Sequence, residues 1–263
     1  MQSRKSGTKK NKETAPKTEH AEAPTYEEAP DLEMNRPTFR LKPNMAKYED
    51  IRKKFRWADV EKEFDWHRTG KVNMAHEAID RHADGWRRNK VALYYYDDTR
   101  YEKYTFQEMK LLTNKFANVL KKHGIGKGER VFLFMPRSPE LYISLLGTIK
   151  NGGIPSPLFE AFMKDAVRDR MLDSEAIAVI TVPHMKERVP VSELPALKHI
   201  FIVGAKGQPT GPKEIDWDTE MENASDKLDG PVWLGREDPL ILHYTSGSTG
   251  KPKGVLHVQN AML

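Results

Sequence analysis

The sequence predicts a layered α/β domain with a largely parallel sheet. Two observations carry that expectation. From Tyr48 onward, apolar runs of strand length alternate with stretches of helical periodicity, and Gly, Pro and Asp punctuate the boundaries between them. Residues 90–96 and 100–105 read as a hairpin that turns at Asp97, Asp98 and Thr99. Thr105 then caps a helix whose apolar positions Phe106, Met109, Leu112, Phe116, Val119 and Leu120 keep helical spacing, and Gly124 ends it. Residues 131–135 form a strand. Ser138 and Pro139 open the next helix as a capping serine with proline at the first helical position, and Gly152 with Gly153 closes it. A helix at 165–173 and strands at 176–181 and 199–203 continue the alternation, and 239–244 reads as a buried strand followed by a short apolar segment at 255–258.

Composition excludes several function classes. The chain has no cysteine, so a disulfide framework and a thiol nucleophile are both ruled out. No apolar run approaches the ~20 residues of a membrane span. The net charge is +5, and residues 1–12 hold five basic residues (Arg4, Lys5, Lys9, Lys10 and Lys12) without an acidic one. The rest of the chain therefore balances to zero, which argues for a solvated basic tip and against a nucleic-acid surface. Residues 1–44 continue with Glu13, Glu19, Glu22, Glu27, Glu28, Asp31 and Glu33 among five prolines. Such a segment is expected to be a disordered charged tail. It has no apolar h-region, and its acidic residues argue against a mitochondrial presequence, so the expected location is cytoplasmic.

Chemistry concentrates at residues 244–254, which read Y-T-S-G-S-T-G-K-P-K-G. Gly247, Gly250 and Gly254 let the backbone turn sharply and bring its N–H groups to a ligand, while Thr245, Ser246, Ser248 and Thr249 add hydroxyl donors. Lys251 and Lys253 supply positive charge for a triphosphate or a departing pyrophosphate, and Pro252 stiffens the exit. A Walker A loop, G-x-x-x-x-G-K-S/T, does not fit. Position 245 is threonine instead of glycine, and Lys251 is followed by Pro252 instead of a hydroxyl. The run also lies between two strands, whereas a Walker loop leads into a helix.

This run resembles the signature loop of the acyl-adenylate-forming superfamily. Residues 64–73 (F-D-W-H-R-T-G-K-V-N), 78–82 (A-I-D-R-H), 132–141 (F-L-F-M-P-R-S-P-E-L) and 254–257 (G-V-L-H) narrow the resemblance to AMP-forming acetyl-CoA synthetases, particularly the shorter bacterial type. The similarity covers about residues 45–263. It implies that 45–263 is the N-terminal part of an AMP-binding domain that is truncated here, with the C-terminal domain absent. The resemblance further implies a reaction between a carboxylate and Mg-ATP that forms an acyl-adenylate and pyrophosphate, followed by attack of the CoA thiol. The loop would hold the β- and γ-phosphates, with Thr245, Ser246, Gly247, Ser248, Thr249, Gly250 and Gly254 binding and Lys251 and Lys253 adding charge. By the resemblance of the flanking segments, acetate is the favoured acid, with propionate or a medium-chain acid as the alternative. The implied partners are the small molecules ATP, Mg, CoA and the carboxylate. The 263-residue chain alone is expected to be inactive, or to act as a non-catalytic product that binds a nucleotide or a partner.

Other features read as structural. Gly124-x-Gly-x-Gly128 follows a helix and precedes a strand, so it is a helix stop and not a dinucleotide fingerprint. His76-Glu77 lacks the second histidine of a zinc helix because position 80 is Asp80, and no metal site is expected. Tyr94, Tyr95 and Tyr96 read as sheet packing. Lys186 and Arg188 precede a stretch where, by the resemblance, basic residues meet the phosphorylated ribose of CoA, which makes Arg188 a candidate CoA contact.

Overall fold

The computed structural model describes residues 47–205, 207, 211–246 and 250–262. The tail read as disordered lies outside the described residues. The chain divides into two units at Lys54 and Phe55. In the first, the described part is the short helix α1 (Tyr48–Lys54), with acidic residues in its first turn and basic ones in its last. Every other element belongs to the second unit.

That unit opens with α2 (Trp57–Glu61), α3 (Asp65–Thr69) and a π-helical turn, His76–Asp80, that runs into α4 (Arg81–Ala83). The hairpin follows as β1 (Val91–Tyr96) and β2 (Tyr101–Thr105), then α5 (Phe106–Lys122). Next come β3 (Arg130–Phe134), α6 (Pro139–Lys150), β4 (Ile154–Pro157), α7 (Lys164–Asp173), β5 (Ala178–Thr181) and α8 (Pro183–Lys186). β6 (His199–Ile202), β7 (Glu214–Asp216), α9 (Trp217–Asn223), β8 (Pro239–Ser246) and β9 (Pro252–Val258) complete it.

The expected parallel sheet is present. Its five strands run in the order β4-β3-β5-β6-β7, and every neighbouring pair is parallel. After Arg130, strand β3 is apolar and buried because both its faces are covered. Val131 and Leu133 point into a core with Met109, Phe116 and Leu120 of α5, Ile143 of α6 and Trp217 of α9. Phe132 and Phe134 point into a second core with Val167 and Met171 of α7 and Met185 of α8. Phe116, Phe132, Phe134 and Phe201 are completely buried; each contributes roughly 1.5–3 kcal/mol through burial.

Helix α5 starts as read. Thr105 Oγ1 accepts from Glu108 N at 3.2 Å, and Glu108 Oε2 accepts from Thr105 N at 2.7 Å, closing a capping box. It also ends as read, with Ile125 N donating to Leu120 O at 2.9 Å and Gly124 N to Lys121 O at 3.0 Å. Two expectations need correction, and two strands come in addition to those read. Ser138 sits at the cap of α6, but its side chain makes no capping bond there, so proline at the first turn is the stronger start signal. The short strands β4 and β7 escaped the periodicity reading, because Ile-Pro-Ser-Pro and Glu-Ile-Asp carry no strand pattern of their own. In the tyrosine run, alternation turns Tyr94 and Tyr96 outward, 64% and 77% exposed, and leaves only Tyr95 on the inner face.

A buried cation organises the centre of this unit. Lys150, the last residue of α6, is fully buried. Its Nζ donates to Asp80 Oδ1 at 2.7 Å, Thr113 Oγ1 at 2.8 Å and Asn114 Oδ1 at 2.8 Å. Three ammonium protons meet three acceptors, which joins the π-helical turn to α5 and α6. Burial pushes the Lys150 pKa down, with Asp80 opposing that shift. Beside it, Asn73 Nδ2 donates to Ile149 O at 2.8 Å and Val232 O at 3.0 Å. Val72 and Leu234 exchange backbone bonds of 2.9 Å, and the chain passes from there into β8.

Lys150→Met should leave the Asp80 carboxylate buried without its cation and cost about 3–5 kcal/mol of stability. Adding Asp80→Asn should recover much of that loss. Urea unfolding of the 263-residue chain measures both variants. A single variant as stable as the wild type, or a double variant weaker than the single, would contradict the assignment.

Candidate functional site: a hairpin with a glycine-rich end

Strands β8 and β9 pair antiparallel, with Tyr244 opposite Gly254, Thr245 opposite Lys253 and Ser246 opposite Pro252. The run at 244–254 therefore caps a hairpin and lies between two strands, as read. Both strands are longer than the sequence indicated. Thr245 and Ser246 belong to β8, and Pro252 and Lys253 to β9. Gly247, Ser248 and Thr249 lie outside the described residues.

The hairpin is anchored at its base by packing and by one buried amide. Leu240, Ile241 and Leu242 are buried; Leu242 joins the core with Phe132 and Met171, whereas Leu240 and Ile241 pack with Ala75 and Ile149. Gln259, just after β9, accepts from Met74 N at 3.1 Å and donates to Pro239 O at 3.2 Å. Burial fades along the strands, so that Thr245, Ser246, Gly250, Lys251 and Lys253 are all exposed. Gly250 has φ of +86°, a conformation that any side chain would strain. Gly254 is needed for space: a Cβ there would lie 3.2 Å from Leu242 Cδ1 and 3.4 Å from the Tyr244 ring.

The two faces of the hairpin differ. Tyr244 lies on the face turned to α7, where its hydroxyl donates to Asp173 Oδ2 at 2.7 Å and its ring stands 6.4 Å from that of Phe132. Burial raises the Tyr244 pKa and the Asp173 carboxylate raises it further, so the phenol remains a donor. Thr245 and Lys253 share the opposite face with His243 and His257, whose rings are 5.7 Å apart. Burial lowers the His243 pKa, and the neighbouring His257 adds to the effect.

A cavity of about 420 Å³ opens beside the loop, lined by Arg168, Asp169, Leu172, Asp173, Lys251 and Pro252. A second, of about 490 Å³, continues along the stem past Tyr244, Gly254 and Leu256 to Arg130 and Ile154. Among the described residues, neither the Lys251 nor the Lys253 ammonium has a hydrogen-bond or ion-pair partner, unlike that of Lys186, which pairs with Glu214 at 2.9 Å. An exposed hydroxyl pair with two such lysines at one end of a hairpin can receive an anion through charge-assisted hydrogen bonds.

Arg188 is held elsewhere. Its Nη1 donates to Glu160 O at 2.7 Å and Phe162 O at 3.0 Å, and its guanidinium lies 4.9 Å from the centre of the Phe134 ring. Among the described residues it makes no contact with the hairpin. Sequence reasoning missed Tyr244 and Asp173. Asp173 carried a signal, since an acidic residue in the last turn of a helix opposes the helix dipole and calls for another reason to be there.

Residues 79–263 match the family model described as AMP-binding enzyme. The chain is 54% identical over 221 residues to the acetyl-coenzyme A synthetase of Bacillus subtilis, a match covering 84% of this chain and 38% of that protein. Among solved structures it resembles a Brucella canis acyl-CoA synthetase, with a TM-score of 0.72 and 28% identity over 82% of this chain and 39% of the other. It also resembles an anthranilate CoA ligase in complex with anthranoyl-AMP, with a TM-score of 0.64 and 26% identity over 72% of this chain and 35% of that one. The chain thus spans between about a third and two fifths of the length of these relatives.

Proposed function

The chain belongs to the AMP-binding enzyme family, and from that premise we propose that it takes part in AMP-forming synthesis of an acyl-CoA, with acetate as the acid. One observation carries the reading: an anchored hairpin presents the exposed hydroxyls of Thr245 and Ser246 and the exposed Lys251 and Lys253, whose ammonium groups have no partner among the described residues. The match to the Bacillus acetyl-coenzyme A synthetase supports acetate. The family match over 79–263 supports reading 45–263 as part of an adenylate-forming domain. A cytoplasmic setting goes with this reading; among the described residues no helix is long and apolar enough to cross a membrane.

Attack of a carboxylate on the α-phosphate of ATP displaces pyrophosphate and forms an acyl-adenylate, and CoA thiol then displaces AMP. The first step needs the triphosphate held in line and its charge neutralised, and little covalent help. Thr245, Ser246 and the turn residues Gly247, Ser248, Thr249 and Gly250 would donate to the β- and γ-phosphates, while Lys251 and Lys253 offset their charge. Gly254 keeps the stem thin enough for Tyr244 to pack over it. Among the described residues there is no cluster of three carboxylate, histidine or cysteine groups. Arg188 remains a proposed CoA contact; its bonds to two carbonyls still leave other guanidinium protons for a phosphate.

The full-length gene product should exchange labelled pyrophosphate into ATP in the presence of acetate. Absence of exchange with acetate, propionate and butyrate in a folded protein would end this assignment. Lys253→Ala should slow exchange by roughly 10- to 100-fold, the worth of a charge-assisted hydrogen bond. Thioester formation from synthetic acetyl-adenylate and CoA should be spared, because the loop serves only phosphates that leave as pyrophosphate. Equal loss in both assays would show that Lys253 acts otherwise.

A further inference from the structure

Tyr244 is the last partly buried residue before the loop, and its side chain is fixed on several sides. The hydroxyl is held by Asp173 at 2.7 Å. The ring stands 6.4 Å from that of Phe132 and 3.4 Å from where a Cβ at Gly254 on the opposite strand would lie. Arg170, one turn earlier on α7, sets its guanidinium 4.1 Å from the Phe162 ring and 5.9 Å from the Tyr244 ring. Beyond Tyr244 the described residues add two pairs to the ladder, Thr245 with Lys253 and Ser246 with Pro252, and none of Thr245, Ser246 and Lys253 is buried. A two-stranded ribbon has little stability of its own, so its free end holds its place only through its last anchor.

We propose that Tyr244 and Asp173 are positioning residues for the phosphate step, a claim that rests on the functional reading above. Neither needs to touch the nucleotide. Their bond fixes the stem against the end of α7, and the stem sets where Thr245, Ser246, Lys251 and Lys253 meet the phosphates. Asp173 stands in the last turn of α7, where the helix dipole disfavours a carboxylate, and the group it serves there is the Tyr244 hydroxyl. Small displacements of positioning groups are costly in a reaction that depends on alignment.

Tyr244→Phe keeps the ring and deletes the bond. In the full-length gene product it should raise KM for ATP in the exchange assay about 10-fold. The KM for acetate, and thioester formation from acetyl-adenylate, should stay within about twofold of the wild type if the role is confined to phosphate binding. Asp173→Ala should match it, the two together should be no worse than either, and Asp173→Asn, whose carbonyl still accepts, should recover most of the loss. Amide hydrogen exchange supplies a readout that does not depend on activity: residues 245–254 should exchange faster in Tyr244→Phe, while 131–134 and 178–181 stay protected. A wild-type protein without pyrophosphate exchange refutes the functional reading, and hydrogen exchange alone then decides whether Tyr244 anchors the loop. Unchanged ATP KM together with unchanged loop protection, or equal loss in both half-reactions, overturns the proposal.

Discussion

The enclosed ammonium of Lys150 is the constraint on which the site's placement depends. A buried ion pair adds little stability over a well-packed apolar substitute, but an incomplete one is severely penalised. Lys150 therefore tolerates only arrangements in which Asp80, Thr113 and Asn114 all reach it. That requirement sets the π-helical turn against α5 and α6. The neighbouring amide of Asn73 carries the same constraint to Val232, and the Val72–Leu234 bridge passes it to the start of β8. The hairpin thus descends from a polar core with a single satisfied geometry.

The hairpin divides labour along its length. Its base is apolar and shared between two cores, its middle is pinned by Tyr244 to α7, and its end is exposed and rich in hydroxyls and cations. Rigid support and an open end suit a group that must present donors to a charged ligand without reorganising when the charge arrives. The same gradient accounts for the two glycines with structural reasons. Gly254 makes room in the pinned middle, and Gly250 provides the left-handed turn at the end.

Much of this was legible in the sequence because local rules governed it. Helix α5 begins at Thr105 and ends at Gly124, as capping chemistry requires, and β3, β5 and β6 are apolar runs covered on both faces. The place of the 244–254 run between two strands was legible from the apolar segments that flank it. What escaped depends on contacts distant in sequence. Lys150 stands in the last turn of a helix, where a lysine ordinarily faces solvent and complements the dipole. It is enclosed by Asp80, 70 residues earlier, and by Thr113 and Asn114 of α5, 37 and 36 residues earlier. Asp80 itself was noticed only as the residue that spoils a zinc pattern. Asp173 and Tyr244 lie 71 residues apart, and no local pattern links them. Strands β4 and β7 exist because the parallel sheet recruits them, not because their residues favour extended structure.

The central claim is that the hairpin end at 244–254 receives the phosphates of a nucleotide. A crystal structure of the full-length gene product with a non-hydrolysable ATP analogue tests it most directly. The account predicts β- and γ-phosphate oxygens within hydrogen-bond distance of the turn backbone and of Lys251 or Lys253, with the Tyr244–Asp173 bond intact beneath them. Phosphates bound away from the hairpin, with its end still open to solvent, would contradict it.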